Sequence, residues 1–232
     1  MARRPPTRLV SALIVAAGRG QRLGTLQPKQ FLSVGGMSLV ERCLAAFETA
    51  RVVDETWLVI SRDHMGRAAR LRRRFRKLRG AVAGGRERVQ SVARGLACLS
   101  HDGVVLVHDA ARPFVSPSLI ARVTRAAWRH GAAIPALPVA DTLKRAGRGA
   151  QVVRTLERRG VWAAQTPQGF RVPLLRRAYA RASARGAPDD AALVERLGRR
   201  VKLVAGSPLN FKVTWKEDLW LARALIAARE TR

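Results

Sequence analysis

The 232-residue chain is 47% hydrophobic and 26% charged, with 44 Lys and Arg against 16 Asp and Glu, a formal charge of +28 and an isoelectric point near 12.0. Such a length supports one substantial core; no apolar run approaches the roughly 18 residues of a membrane span and no signal-peptide pattern opens the chain, so a cytoplasmic protein without a membrane partner is expected. Cys43 and Cys98 are the only cysteines and lie far apart, which excludes a disulfide framework and every cysteine-based zinc pattern.

In chain order, residues 1–8 are polar, rich in Arg and Pro, and expected to be disordered. From Leu9 onward, short β-branched apolar runs alternate with longer helical stretches. The predicted strands are 12–16 (ALIVA), 56–60 (TWLVI), 81–83, 103–108 (GVVLVH), 132–137 and 201–204, with helices between them. This is the rhythm of a mostly parallel α/β sheet. Runs such as VVLV, apolar at every position, fit strands covered on both faces, so helices on both sides are implied. Residues 67–79 (RAARLRRRFRKLR) place Leu71, Phe75 and Leu78 at i, i+4 and i+7, which predicts an amphipathic helix with a cationic outer face. Residues 138–160 alternate polar and apolar around Gly147-Arg148-Gly149, as a two-stranded hairpin does. A two-stranded ribbon is marginal alone, so it is expected to pack on the main body or on another subunit. No repeat or composition shift marks a second domain, and 1–232 reads as one.

Only six of the basic residues are lysines, and the arginines run from Arg3 to Arg232, a scattered excess that points to no specific nucleic acid. The cationic face of 67–79 can still hold polyanions at low salt. A noncatalytic polyanion-binding protein is therefore one alternative reading.

The first strand runs into Ala16-Ala17-Gly18-Arg19-Gly20-Gln21-Arg22-Leu23-Gly24, where glycines at the carboxyl end of a strand let backbone N–H groups approach a phosphate. A dinucleotide fingerprint needs glycine where Leu23 stands, and a Walker A lysine is missing. The bland alternative is a glycine turn with solvated arginines. After the third strand, Gly84-Gly85-Arg86-Glu87-Arg88-Val89-Gln90-Ser91 is either a loop that approaches a base or a glycine turn with Ser91 capping the next helix. Val105 to Pro113 (VLVHDAARP) puts Asp109 and Arg112 at the end of a buried strand. Asp109 is the metal-side candidate; its alternative is a helix cap or a partner of Arg112. His108 reads as structural. With no cluster of Asp, Glu or His at ligand spacing, the pattern suits Mg²⁺ held largely by triphosphate and water.

Taken together, A-A-G-x-G-x-R, P-K-Q-F-L (28–32), G-G-x-x-R-x-x-S-V, V-H-D-A-A-R-P, D-T-L-K-R (141–145) and T-P-Q (166–168) make the chain resemble the 2-C-methyl-D-erythritol 4-phosphate cytidylyltransferases from about Leu9 to about Leu225. The resemblance implies a Rossmann-like α/β fold of the nucleotide-diphospho-sugar transferase type with a protruding hairpin arm. It also implies a homodimer joined through that arm, and a Mg²⁺-dependent transfer of the cytidylyl group of CTP to methylerythritol phosphate in the nonmevalonate isoprenoid pathway. By resemblance Arg22, Lys29 and Lys212 (in N-F-K-V-T) are catalytic. Ala16, Ala17, Gly18, Gly85, Arg86, Ser91, Asp109 and Ala110 then bind nucleotide, with only a backbone contact expected at Arg86, where the family has an acidic or polar residue. Arg112, Thr142, Arg158 and Thr166 bind the polyol phosphate, Arg158 acting on the neighbouring subunit's site. Without the resemblance Arg158 reads as a surface residue. The clearest departure is Pro188, which stands where the family has a threonine before the acidic pair Asp189-Asp190. Proline has neither hydroxyl nor N–H, so one substrate hydrogen bond worth about 1 kcal/mol is expected to be missing or supplied otherwise. A cytidylyltransferase for another polyol phosphate, such as ribitol 5-phosphate, is thus a second alternative.

Overall fold

The computed structural model describes residues 9–18, 27–181 and 186–230. Its first half comprises β1 (Val10–Ala16), β2 (Ser33–Val34), β3 (Met37–Ser38), α1 (Leu39–Thr49), β4 (Glu55–Ile60), α2 (Met65–Arg74), β5 (Leu78–Ala83), α3 (Arg88–Ala97), β6 (Val104–Asp109) and α4 (Pro117–His130). There follow β7 (Ala132–Pro138), β8 (Leu143–Ala146), β9 (Val152–Leu156), β10 (Trp162–Ala164), β11 (Gln168–Arg171), α5 (Val172–Arg181), α6 (Asp190–Arg196), β12 (Lys202–Ala205) and α7 (Lys216–Glu230). No described helix is long and apolar enough to cross a membrane.

β5, β4, β1 and β6 lie side by side and parallel, with β1 between β4 and β6. β11 joins β6 antiparallel and passes the sheet on to β7, whose other edge carries β12 in parallel. Ala136 of β7 pairs with Ala164 of β10 and with Ala205 of β12, so those two strands occupy opposite edges of β7. β10 and β11 therefore follow one another along the same edge. Between them, residues 165–168 face only Ile134 and Pro135, and the two surplus residues push the chain out of the ladder at Thr166. That outward kink carries Thr166 to the end of β6.

The period-2 alternation of side chains separates two cores. Ala12, Ile14, Val104 and Leu106 point to the face covered by α1, α2 and α4, where they meet Leu44, Phe47, Leu71 and Ile120. Leu13, Val105 and Val107 point to the opposite face and meet Val92, Leu175 and Val194 of α3, α5 and α6. Both faces are covered, as the uninterrupted apolar runs require. The helices start where the sequence supplies caps. Ser38 and Glu41 form a reciprocal capping box on α1, and Ser116 caps α4 ahead of Pro117.

Two features depart from the sequence expectations, and a third, the hairpin, forms as expected. β10, β11 and the β2–β3 ribbon were not anticipated; their runs are only two to four residues long, and β10 and β11 pair with strands distant in sequence. The helix of the arginine-rich run stops at Arg74; Leu71 and Phe75 are buried as expected, but Leu78 opens β5. Glu48 explains the break, because its carboxylate accepts from the N–H groups of both Arg76 and Lys77. The predicted hairpin forms, Leu143 pairing with Leu156, and Val152 and Val153 on it are 62% and 67% exposed, largely open to solvent.

His108, on β6, is fully buried with its ring against Phe47, and burial pushes its pKa down to about 4. Between about pH 4 and 6.5 the unfolded chain therefore binds a proton that the folded chain does not, and stability falls as the pH is lowered through that window. Denaturant unfolding measured across that window is expected to show a steeper loss for wild type than for His108→Asn, by up to one proton. Equal slopes would contradict the neutral buried imidazole.

Candidate active site

The next strand of this sheet after β1 in sequence, β4, lies on one side of it, while β6 lies on the other. In open α/β sheets the crevice at such a reversal, outside the carboxyl ends of the strands, is where ligands bind. Here it is a cleft of about 170 Å³ lined by Ala16, Ala17, Gly18, Lys29, Gln30, Gly85, Arg86, Arg88, Ser91, Asp109, Ala110 and Lys212 among others. The floor is apolar and backbone-rich. Gln30, buried, donates from Nε2 to the Ala16 carbonyl at 2.7 Å, which fastens the turn carrying Lys29 to the end of β1. Lys29 Nζ in turn donates to the Val213 carbonyl at 3.2 Å, next to Lys212.

Asp109 closes β6 and is gripped on both sides. Its Oδ1 lies 3.2 Å from Arg88 Nε, and its Oδ2 accepts from Lys212 Nζ at 2.7 Å. Burial by itself raises a carboxyl pKa, but Arg88 and Lys212 outweigh it and hold Asp109 well below the usual carboxylate range. Arg88 is shared. Its Nη1 meets Oδ2 of Asp190 at 2.8 Å, while Asp190 Oδ1 accepts from the Tyr179 hydroxyl at 2.5 Å. Asp190 has no exposed surface, so without Arg88 it is an uncompensated buried charge. The acidic pair at 189–190 thus has fixed duties: Asp189 caps α6 and accepts from Gln168, and Asp190 is the counter-ion behind Arg88.

On the base side of the cleft, Ser91 is not the cap of α3. Glu87 is the N-cap, in a capping box with Gln90. The Ser91 hydroxyl sits one turn further in, accepting from Gly85 N–H at 3.0 Å and donating to the Glu87 carbonyl at 3.1 Å. Arg86 N–H is already bonded to Gln90 Oε1. A side chain at Gly84 would place Cβ 2.3 Å from that of Ala17, so the two loops can approach this closely only with glycine there.

Behind Asp109, the Thr166 hydroxyl accepts from the Asp109 N–H at 3.1 Å and lies 3.0 Å from His108 Nδ1. Arg112 is turned toward the same turn, donating to the carbonyls of Asn210 at 2.8 Å and Ala164 at 3.4 Å, while its buried Nε has no partner among the described residues.

The structure therefore gathers Ala16, Ala17, Gly18, Lys29, Gly85, Arg86, Ser91, Asp109, Ala110 and Lys212 into one cleft. Arg112 and Thr166 stand behind Asp109. Thr142 and Arg158 are exposed on the hairpin arm, where Arg158 donates to the Ala140 carbonyl. Arg22 lies outside the described residues. Sequence reasoning missed Arg88 as a site residue: in a chain so rich in arginine, one more guanidinium after a glycine turn carries no signal, although it falls in the G-G-x-x-R-x-x-S-V motif. For a divalent cation, the donor set is a single hard carboxylate. Among the described residues no group of three His, Cys, Asp or Glu could hold a metal ion. Asp109 keeps lone pairs free beyond those used by Arg88 and Lys212. This fits magnesium, or another hard divalent cation, bound mainly by phosphate oxygens and water, and it does not fit a metal that prefers imidazole or thiolate ligands.

The family model of 2-C-methyl-D-erythritol 4-phosphate cytidylyltransferase matches residues 10–228. The chain is 45% identical over 229 residues to the 2-C-methyl-D-erythritol 4-phosphate cytidylyltransferase of Pelotomaculum thermopropionicum, covering 96% of each. It is 46% identical to the bifunctional enzyme IspD/IspF of an Anaeromyxobacter species, of which it spans 58%. Among solved structures it resembles the cytidylyltransferase of Thermus thermophilus, with 42% identity, a TM-score of 0.78 and coverage of 93% of this chain and 98% of that one. It also resembles the 4-diphosphocytidyl-2C-methyl-D-erythritol synthase of Anaerococcus prevotii, with 32% identity, a TM-score of 0.82 and coverage of 95% and 99%. The gathered motif residues, the sheet that gathers them and these likenesses agree: the chain belongs to the IspD family of 2-C-methyl-D-erythritol 4-phosphate cytidylyltransferases.

Proposed function

We propose that the chain transfers the cytidylyl group of CTP to 2-C-methyl-D-erythritol 4-phosphate, giving 4-diphosphocytidyl-2-C-methyl-D-erythritol and pyrophosphate for isoprenoid biosynthesis in the cytoplasm. The observation that carries this reading is the convergence of Lys29, Lys212, Arg88 and Asp109 on one cleft at the carboxyl ends of β1 and β6. A phosphate oxygen of the polyol attacks the α-phosphorus of CTP as the bond to the β-phosphate breaks. Negative charge gathers on the nonbridging oxygens and on the departing pyrophosphate, and cations fixed in advance at those places lower the barrier.

In this account Lys29 and Lys212 supply positive charge to the reacting phosphates, and Arg22, which lies outside the described residues, is assigned the same role by its motif. Ala16, Ala17, Gly18, Gly85, the Arg86 backbone and Ala110 line the nucleoside. The proton of Ser91 is committed to the Glu87 carbonyl, which leaves its hydroxyl a lone pair to accept from the cytosine amino group and no proton to donate to the O4 of uracil. Asp109 would hold magnesium, which supplies further positive charge against the triphosphate. Arg112 and Thr166 meet the polyol phosphate, completed by Thr142 and by Arg158 of a second copy whose arm reaches over, the exposed valines of the hairpin being its contact surface. Residues 9–230 act as one catalytic unit.

Replacing Lys29 by Ala is expected to lower kcat about 100- to 1,000-fold with the fold intact, and Lys212→Ala to lower kcat similarly while also reducing stability, because Asp109 loses one of its two cationic partners. Changing Arg72, Arg73 and Arg76 together to Gln, all exposed on and beyond the end of α2, is expected to leave turnover within about twofold. The opposite pattern, read by pyrophosphate release, would favour a polyanion-binding protein. Mixing Arg158→Ala with Lys29→Ala subunits is expected to restore activity, because each heterodimer has one intact site. Absence of recovery, with subunit exchange demonstrated, contradicts the shared arm.

A further inference from the structure

The hydrogen bonds around His108 can be assigned a direction atom by atom. The Arg112 carbonyl, 3.0 Å from His108 Nε2, can only accept, so Nε2 carries the proton. The imidazole is fully buried against Phe47, its two ring nitrogens facing only the Arg112 carbonyl and the Thr166 hydroxyl, and burial disfavours its charged form more strongly than the neighbouring Asp109 carboxylate and the Arg112 carbonyl favour it; it is neutral, and Nδ1 is a bare acceptor. The Thr166 hydroxyl, 3.0 Å away, must then be the donor of that bond. Its oxygen also accepts from the Asp109 N–H at 3.1 Å. A hydroxyl has one proton and two lone pairs, so Thr166 is left with one lone pair and no proton to offer.

We propose that His108 is a positioning residue that fixes Thr166 as a pure hydrogen-bond acceptor, so that the group of the phosphorylated polyol docked on Thr166 is one of its hydroxyls and not its phosphate. This rests on the reading above in which Thr166 meets the polyol phosphate, and it makes that reading more specific. Phosphate oxygens at neutral pH are acceptors, and lone pair against lone pair repels. The phosphate is left to the cations, Lys212 and the arm's Arg158, while Thr166 selects a donor. Only 5% of Thr166 is exposed, so a ligand group that meets it does so over a small area.

Two substitutions separate this role from space filling. The side-chain carbonyl of asparagine stands where Nδ1 stands and can accept from Thr166; the longer amide of glutamine reaches the place of Nε2 and can serve only the Arg112 carbonyl. With CTP saturating, His108→Gln is expected to raise the KM for methylerythritol phosphate about tenfold, the size of one lost hydrogen bond, with little change in the KM for CTP. His108→Asn is expected to recover most of that loss. Equal effects, or a better glutamine variant because it fills more volume, overturn the inference. Thr166→Val, which preserves shape, supplies an independent test with monodeoxy analogues of the substrate. For the analogue lacking the hydroxyl in question, the loss of kcat/KM caused by Thr166→Val should be markedly smaller than with the full substrate, the remainder reflecting the Asp109 N–H and His108 Nδ1 left without their partner, and an undiminished loss with every analogue overturns the inference even if neither His108 variant folds. Absence of turnover by the wild-type protein overturns the proposed function itself, which distinguishes the two failures.

Discussion

Asp109 can be buried at the end of β6 only because Arg88 and Lys212 hold it from both sides. Removing a carboxylate from water costs several kcal/mol unless it is paired, and the same applies to Asp190 behind Arg88. The result is a line of alternating charge, Asp190, Arg88, Asp109, Lys212, whose members come from α6, α3, β6 and the segment before α7. No member can leave without stranding its neighbour. The constraint therefore ties together segments more than 100 residues apart in sequence and fixes the geometry of the cleft before any substrate arrives.

The same arrangement explains how so basic a chain can have a selective site. Most arginines are exposed and scattered, where charge is screened and worth little. The cations at and behind the cleft are held by specific acceptors: Lys212 by Asp109, Lys29 by the Val213 carbonyl, Arg112 by the carbonyls of Asn210 and Ala164. An incoming triphosphate meets groups already fixed in place, so little reorganisation remains for the reaction step. The wider positive field assists capture of anionic substrates and falls off with salt.

The central strands were legible in the sequence because their runs are apolar at every position, and β1, β4, β6 and β7 begin or end within two residues of expectation. β10 and β11 were not legible: nothing in WAA or QGFR announces a strand, and each forms because β7 and β6 present open edges. The glycine turns, Lys29, Asp109 and Lys212 were legible through their motifs. Arg88 was not, since its role appears only when α3 brings it between two carboxylates. His108 reads as structural from its apolar strand, and burial bears that out, but the direction of its hydrogen bonds emerges only once Thr166 is pushed out of the β7 ladder. The departure at Pro188 remains visible in the structure as an exposed proline next to the cap of α6, with both acidic neighbours occupied by Gln168, Arg88 and Tyr179.

The most direct test of the account is Mg²⁺-dependent pyrophosphate release by the purified protein at moderate salt, with each of the four nucleoside triphosphates paired with methylerythritol phosphate or ribitol phosphate. Release with CTP and methylerythritol phosphate alone is the predicted result. Release with CTP and ribitol phosphate instead would keep the cleft's chemistry and contradict the assigned substrate, and silence from folded protein in every pairing would contradict the cytidylyl transfer itself.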